Sequence, residues 1–169
     1  MLARIVRIAV AAGLLAGLAG CFQPLHGPQF GAVGGMLGAI DVAQVDGHIG
    51  HQLKAELDFL LNNGTPPADP KYRLTARPTG TPSAVIVDSA AGRLQTMNYP
   101  VSANYTLISL KDGAIVSAAT AQTTVSFDRD AQRYATVRAA RDAEIRAAKV
   151  LAEQIKVRII GDLARGKGG

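Results

Sequence analysis

The 169-residue sequence predicts an α+β fold: a two-layer sandwich of a four-stranded mixed sheet with two helices on one face, in the order β-α-β-β-β-α. Three observations predict it. Stretches around residues 39–45, 71–78 and 95–127 alternate apolar and polar residues, the period of a half-buried strand. Stretches around 48–63 and 131–164 repeat apolar residues at helical spacing. Clusters of proline, glycine and asparagine separate the first helical stretch from the strands that follow it.

The chain begins with Arg4 and Arg7, an apolar run from Ile8 to Leu18, and then small residues, the composition of a secretory signal peptide over residues 1–20. Residues 21–38 follow with Pro24, Pro28 and five glycines (Gly27, Gly31, Gly34, Gly35 and Gly38), which read as a tether and not a helix. The folded domain is expected over 39–165, with 166–169 as a flexible tail.

Within the domain, "AIDVAQV" at 39–45 alternates as a short strand and stops at Asp46-Gly47. Ile49, Leu53, Leu57, Leu60 and Leu61 then make one apolar stripe, ended by Asn62-Asn63-Gly64 and Pro66-Pro67. In "KYRLTARP", Tyr72, Leu74 and Ala76 point one way and Arg73, Thr75 and Arg77 the other. "AVIVD" at 84–88 continues this strand after an interruption from Pro78 to Pro82, and Ala90-Ala91-Gly92 reads as a turn. Residues 95–111 are extended, Asp112-Gly113 signals a two-residue hairpin, and Ile115, Ala119, Ala121, Val125 and Phe127 share a face of the returning strand. The three later strands form an antiparallel meander, and the first pairs in parallel through the first helix. In the last helix Ala143, Ala147, Leu151, Ile155, Ile159 and Leu163 step by four, widened by Ala148, Val150, Ala152 and Ile160.

Cys21 is the only cysteine, which excludes an internal disulfide and a cysteine-rich metal site. No Gly-x-Ser-x-Gly elbow, P-loop or dinucleotide fingerprint is present, so no enzyme class has a motif and no cofactor is implied. His48 and His51 share a helix face near Asp46, and the reading that needs no metal is a polar helix start. Asp128 and Asp130 flank Arg129 as a strand-to-helix turn with a capping carboxylate. The net charge of +5 is too small to indicate nucleic acid. Loss of Arg4 and Arg7 with residues 1–20 leaves 16 basic against 13 acidic residues, a net +3.

Leu18-Ala19-Gly20-Cys21 resembles a bacterial lipobox, which implies a diacylglyceryl group on the Cys21 thiol, cleavage before it and acylation of the new amine. Two or more acyl chains suffice for stable membrane attachment. Phe22, in place of an aspartate, favours sorting to the outer membrane. Four stretches together resemble the lipopolysaccharide-assembly lipoprotein family LptE in its alphaproteobacterial form: "LAGCFQPLHG", "HQLKAELDFLLNN" leading to "KYRLTA", "ANYTLISLKDGAIV", and "YATVRAARDAEIRAAKVLAEQIKVRI". His26 stands where the family pattern has tyrosine.

The resemblance implies a non-enzymatic lipoprotein, held on the periplasmic face of the outer membrane. It plugs and helps assemble the β-barrel LptD and binds lipopolysaccharide during its insertion into the outer leaflet. An auxiliary lipoprotein of a phospholipid-transport complex is the alternative. A lipopolysaccharide binder needs exposed cations for phosphate and carboxylate. Arg73 and Arg77 on the open sheet face, and Arg93 and Lys111 near turns, are the candidates. Arg138, Arg141, Arg146, Lys149, Lys156 and Arg158 read as the solvent side of the last helix.

Overall fold

The computed structural model describes residues 31–85, 95–129 and 132–166. The chain divides into two units, Met1–Gly34 and Gly35–Gly169. The signal sequence, Cys21 and the expected tether up to residue 30, residues 86–88 of the strand expected at 84–88, the turn expected at 90–92, Arg93, Asp130 and the last three residues lie outside the described residues.

The elements are α1 (Gly31–Leu37), β1 (Ile40–Val42), α2 (His48–Asn62), β2 (Tyr72–Gly80), β3 (Ser83–Ala84), β4 (Gln95–Ser109), β5 (Ile115–Arg129) and α3 (Arg133–Gly166). β1 pairs in parallel with β2, and β2, β4 and β5 form the antiparallel meander. β3 pairs with the first part of β4, on the flank that β2 occupies further along. The second expected strand is therefore two pieces along one side of β4, which makes five strands in place of four.

Both prolines of this region sit where the ladder tolerates them. Pro78 lies past Leu74, the last β2 residue that β1 reaches, and Pro100 lies at the junction between the β2 and β3 pairings. A proline without an N–H costs nothing where no neighbouring strand needs that donor. β2 accordingly runs on through Pro78 to Gly80.

The helices cover one face. α2 contributes Leu53, Leu57 and Leu61, and α3 contributes Ala143, Ala147, Ala148, Leu151, Ala152, Ile155, Ile159 and Leu163, all buried. They meet Ile40 and Val42 of β1, Leu74 and Ala76 of β2, alternate residues of β4 from Tyr99 to Leu107, and Ala121 and Phe127 of β5. The alanines let the long helix lie close to the sheet. Val150 does not widen the stripe as expected; it is 40% exposed.

α2 ends where Asn63 takes the left-handed conformation at φ 53°, with the Asn63 and Gly64 N–H groups donating to the carbonyls of Phe59 and Asp58. The β4–β5 loop is longer than the two residues expected. Ser109 N–H donates to Ala114 O, Gly113 adopts φ 72°, and the Asp112 carboxylate accepts from Ala114 N–H. The Ser109 side chain foremost, with the Ala114 N–H, holds the Asp112 carboxyl below its ordinary pKa.

Two further sequence expectations fail for identifiable reasons. Ile115 is 67% exposed because a bulge interrupts the ladder: Ile108 faces Ile115, whereas Leu107 faces Ser117. One extra residue shifts the two-residue period, so Ile115 joins the opposite face from Ala119 and Ala121. The stretch 31–37, read as tether, is helical despite three glycines. Met36 and Leu37 pack against the core, and tertiary packing outweighs weak propensity over so short a segment.

Candidate functional site

The face of the sheet away from the helices is open and polar. From β2 it carries Arg73, Thr75, Arg77 and Thr79; from β4, Thr96, Asn98, Ser102, Asn104 and Thr106; from β5, Thr120, Gln122, Thr124 and Ser126. Cross-strand bonds tie these side chains together. Thr120 Oγ1 donates to Asn104 Oδ1 at 2.6 Å, Ser126 Oγ to Asn98 Oδ1 at 2.8 Å, and Thr79 Oγ1 lies 3.2 Å from Ser102 Oγ. Over most of its length this surface offers hydroxyls and carboxamides, which suit a hydrogen-bonding neighbour, and at the Arg73 end it adds the apolar pair Ile108 and exposed Ile115.

Arg73 and Arg77 are exposed on this face, and Lys111 is exposed in the β4–β5 loop. They form a line and not a cluster. Arg73 and Arg77 are four residues apart on one strand, about 13 Å, and Lys111 lies beyond the Arg73 end, where Leu110 N–H donates to Lys71 O. Arg73 Nε is 3.2 Å from Asp41 Oδ2, so part of its charge is matched within the sheet. Arg77, with Gln44, Asp46, Thr75, Asn104 and Thr106, borders a concavity of about 690 Å³.

The other sequence candidates serve the fold. His48 Nδ1 contacts Glu144 of α3, clasping the two helices together. Among the described residues no three of His, Cys, Asp and Glu gather in one place, and no helix is long and apolar enough to cross a membrane. Asp128 lies inside β5 and accepts from Thr96 Oγ1 at 3.1 Å, so it does not cap the helix, which begins at Arg133. Burial first, and then the charge of Glu144, raise the pKa of Tyr99.

Sequence reasoning missed one built feature. β5 is an edge strand, and its outward backbone groups are met by side chains of α3. Arg146 Nη2 donates to Ser126 O at 3.0 Å and Arg158 Nη1 to Thr120 O at 2.6 Å. Gln154 pairs with Gln122 like a short strand: it accepts from Gln122 N–H at 3.2 Å and donates to Gln122 O at 3.0 Å. Arg146 and Arg158, read as solvated, are thus ligands of the sheet edge. Their signal in the sequence is a spacing in multiples of four, eight from 146 to 154 and four from 154 to 158, opposite strand residues 126, 122 and 120, which are separated by multiples of two. A second polar anchor joins Ser117 of β5 to Asp162, which in turn contacts Arg165.

The sequence matches the family LptE, lipopolysaccharide-assembly, over residues 37–159. No curated protein matches it. Among solved structures, a candidate lipoprotein from Caulobacter crescentus CB15 is 24% identical and superposes with a TM-score of 0.66, covering 80% of this chain and 97% of that one. A minor lipoprotein from Acinetobacter baumannii is 17% identical, with a TM-score of 0.47 over 73% of this chain and 89% of that one. Rare lipoprotein B from Shewanella oneidensis is 14% identical, with a TM-score of 0.40 over 76% and 94%. The Caulobacter likeness is one of fold.

Proposed function

The chain belongs to the LptE lipopolysaccharide-assembly family, and from that membership we propose that it is the lipoprotein partner of an LptD-type outer-membrane barrel. The family's role is lipopolysaccharide assembly without enzymatic activity. In the proposed reading the protein is lipidated at Cys21, faces the periplasm, plugs the barrel and binds lipopolysaccharide as it passes to the outer leaflet. The observation that carries this reading is the extent of the family match: residues 37–159 run from the end of α1 to the last turns of α3.

Two features support the barrel partnership. The interiors of such barrels are polar, and the open sheet face carries the hydroxyl and carboxamide groups that a polar wall would meet. A domain enclosed by a wall buries a large interface, which resists salt, whereas head-group contacts between exposed charges weaken with it. Arg73, Arg77, Arg93 and Lys111 are the proposed head-group contacts. Replacing all four by serine is expected to reduce lipopolysaccharide binding and to spare recovery of the barrel.

Purification of the tagged full chain from outer membranes tests the assignment. Recovery of an outer-membrane barrel supports it. Recovery of an inner-membrane phospholipid transporter in its place would overturn it. The anchor is tested apart: Cys21→Ser should abolish labelling by palmitate, and label that persists would remove the lipoprotein reading.

A further inference from the structure

We propose that residues 133–141 of α3 form a second binding surface, which holds the phosphorylated head group of an acylated glycolipid. The proposal rests on the reading that this protein binds lipopolysaccharide, and it places that contact away from the β2 line.

At about 100° per residue, Arg133, Val137, Arg141, Tyr134 and Arg138 fall in that order within about 140° of the helix circumference. The residues on the other side, Ala135, Thr136, Ala139 and Ala140, are partly buried, and Ala143 is fully buried. The segment is therefore seated, with one face turned outward. On that face Tyr134 is 73% exposed and Val137 is 52% exposed, between three guanidinium groups.

No acidic residue occurs from 131 to 141, the segment between Asp128 and Asp130 on one side and Asp142 and Glu144 on the other. From 142 to 166 the same helix carries five basic and four acidic residues, near balance. Arg133 and Arg138 make no ion pair among the described residues, while Arg141 contacts Glu144 at 3.1 Å. A merely solvated helix surface mixes the two signs. This one interleaves arginines with a tyrosine and a valine. Guanidinium groups bind phosphate through paired N–H donors, and the tyrosine ring and the valine give the adjoining carbon skeleton an apolar contact.

The segment lies at one end of the sheet, following Arg129, which faces Gln95. The chain joins the sheet at Ile40, which faces Tyr72, which in turn faces Ser109 at the other end of β4. The fourteen-residue separation along β4 is about 45 Å. The surface is thus remote from Arg73 and Lys111 and is separable from them by mutation.

The test uses the purified full-length lipoprotein and three probes: lipopolysaccharide, the same material after phosphatase treatment, and phosphatidylglycerol vesicles. Replacing Arg133, Arg138 and Arg141 together by serine is expected to weaken lipopolysaccharide binding about tenfold and to flatten its salt dependence. Lys149→Ser with Lys156→Ser, which removes charge elsewhere on the helix, should leave binding unchanged. Replacing Tyr134 and Val137 by serine should weaken binding while leaving its salt dependence intact. An unchanged melting curve confirms that each variant is folded. Equal binding by the triple variant and wild type overturns this site and leaves the wider reading standing. Equal binding of phosphatase-treated material, or of phosphatidylglycerol vesicles, also overturns it. If the wild type binds no lipopolysaccharide, the wider reading falls and this site falls with it.

Discussion

Gln154→Ala tests whether α3 guards the edge of β5. The substitution removes two hydrogen bonds to the Gln122 backbone, of 3.2 and 3.0 Å. A neutral bond of this kind contributes a net ~0.5–1.5 kcal/mol. Both lie on an exposed edge, where water replaces the lost partner, so their combined cost belongs near the low end, about 1 kcal/mol. For a folded unit of this size that shifts Tm by roughly 3–5 °C. The sharper signal is local. Gln122 N–H loses its acceptor and should exchange with solvent faster, as read by hydrogen exchange in NMR. The neighbouring guards, Arg158 on Thr120 O and Arg146 on Ser126 O, remain. Removing all three opens the edge from Thr120 to Ser126, and an open edge invites strand addition. The triple variant should therefore self-associate in size-exclusion chromatography at concentrations where Gln154→Ala stays monomeric. Unchanged exchange at Gln122 in Gln154→Ala would refute the guard, and a cost above about 3 kcal/mol would show that the side chain serves packing instead.

Three further predictions concern the core and its titration. Leu57→Ala removes a fully buried side chain of α2 and should cost about 2–5 kcal/mol, seen in a denaturation curve; an unchanged curve would mean the stripe is not core. Gly50→Ala would place a Cβ 2.7 Å from Val45 Cγ1 and 3.0 Å from the Val45 carbonyl, so a helix-propensity gain of about 1 kcal/mol should be outweighed. A stabilised Gly50→Ala protein would show that the 43–47 loop yields freely. Because burial and Glu144 raise the pKa of Tyr99, its contribution to stability is whole below about pH 10, where an unfolded tyrosine titrates, and is lost as pH rises through the raised value. Tyr99→Phe should remove that alkaline loss, and an identical alkaline limb in both proteins would contradict the assignment.

Periodicity made most of the sheet and both long helices legible. Tyr72, Leu74 and Ala76 against Arg73, Thr75 and Arg77 separate cleanly because β2 is half-buried, and a two-residue period is a direct readout of that state. The α3 stripe from Ala143 to Leu163 was legible for the same reason at helical period. What escaped depends on contacts between distant residues. The bulge that turns Ile115 outward depends on the pairing with β4, and nothing in "GAIVSAA" marks it. β2 continues through Pro78 because β1 stops short of it, a fact about a neighbouring strand.

The edge guard illustrates why site residues are harder to read than core residues. Burial leaves a periodic trace in a single segment, whereas Arg146, Gln154 and Arg158 take their role from the unpaired edge of β5. An arginine on a helix looks the same in sequence whether it meets water, a carbonyl or a phosphate. The fold separates these cases on α3. Arg146 and Arg158 are engaged by β5 backbone carbonyls, Arg141 shares Glu144, and Arg133 and Arg138 have no ion pair among the described residues. Of the α3 cations without an ion pair among the described residues, Arg133 and Arg138 stand in the first turns beside the exposed Tyr134 and Val137, whereas Lys149 and Lys156 stand further along the helix. Losing lipopolysaccharide affinity on substitution there, but not at Lys149 and Lys156, would distinguish a local contact from a response to net charge.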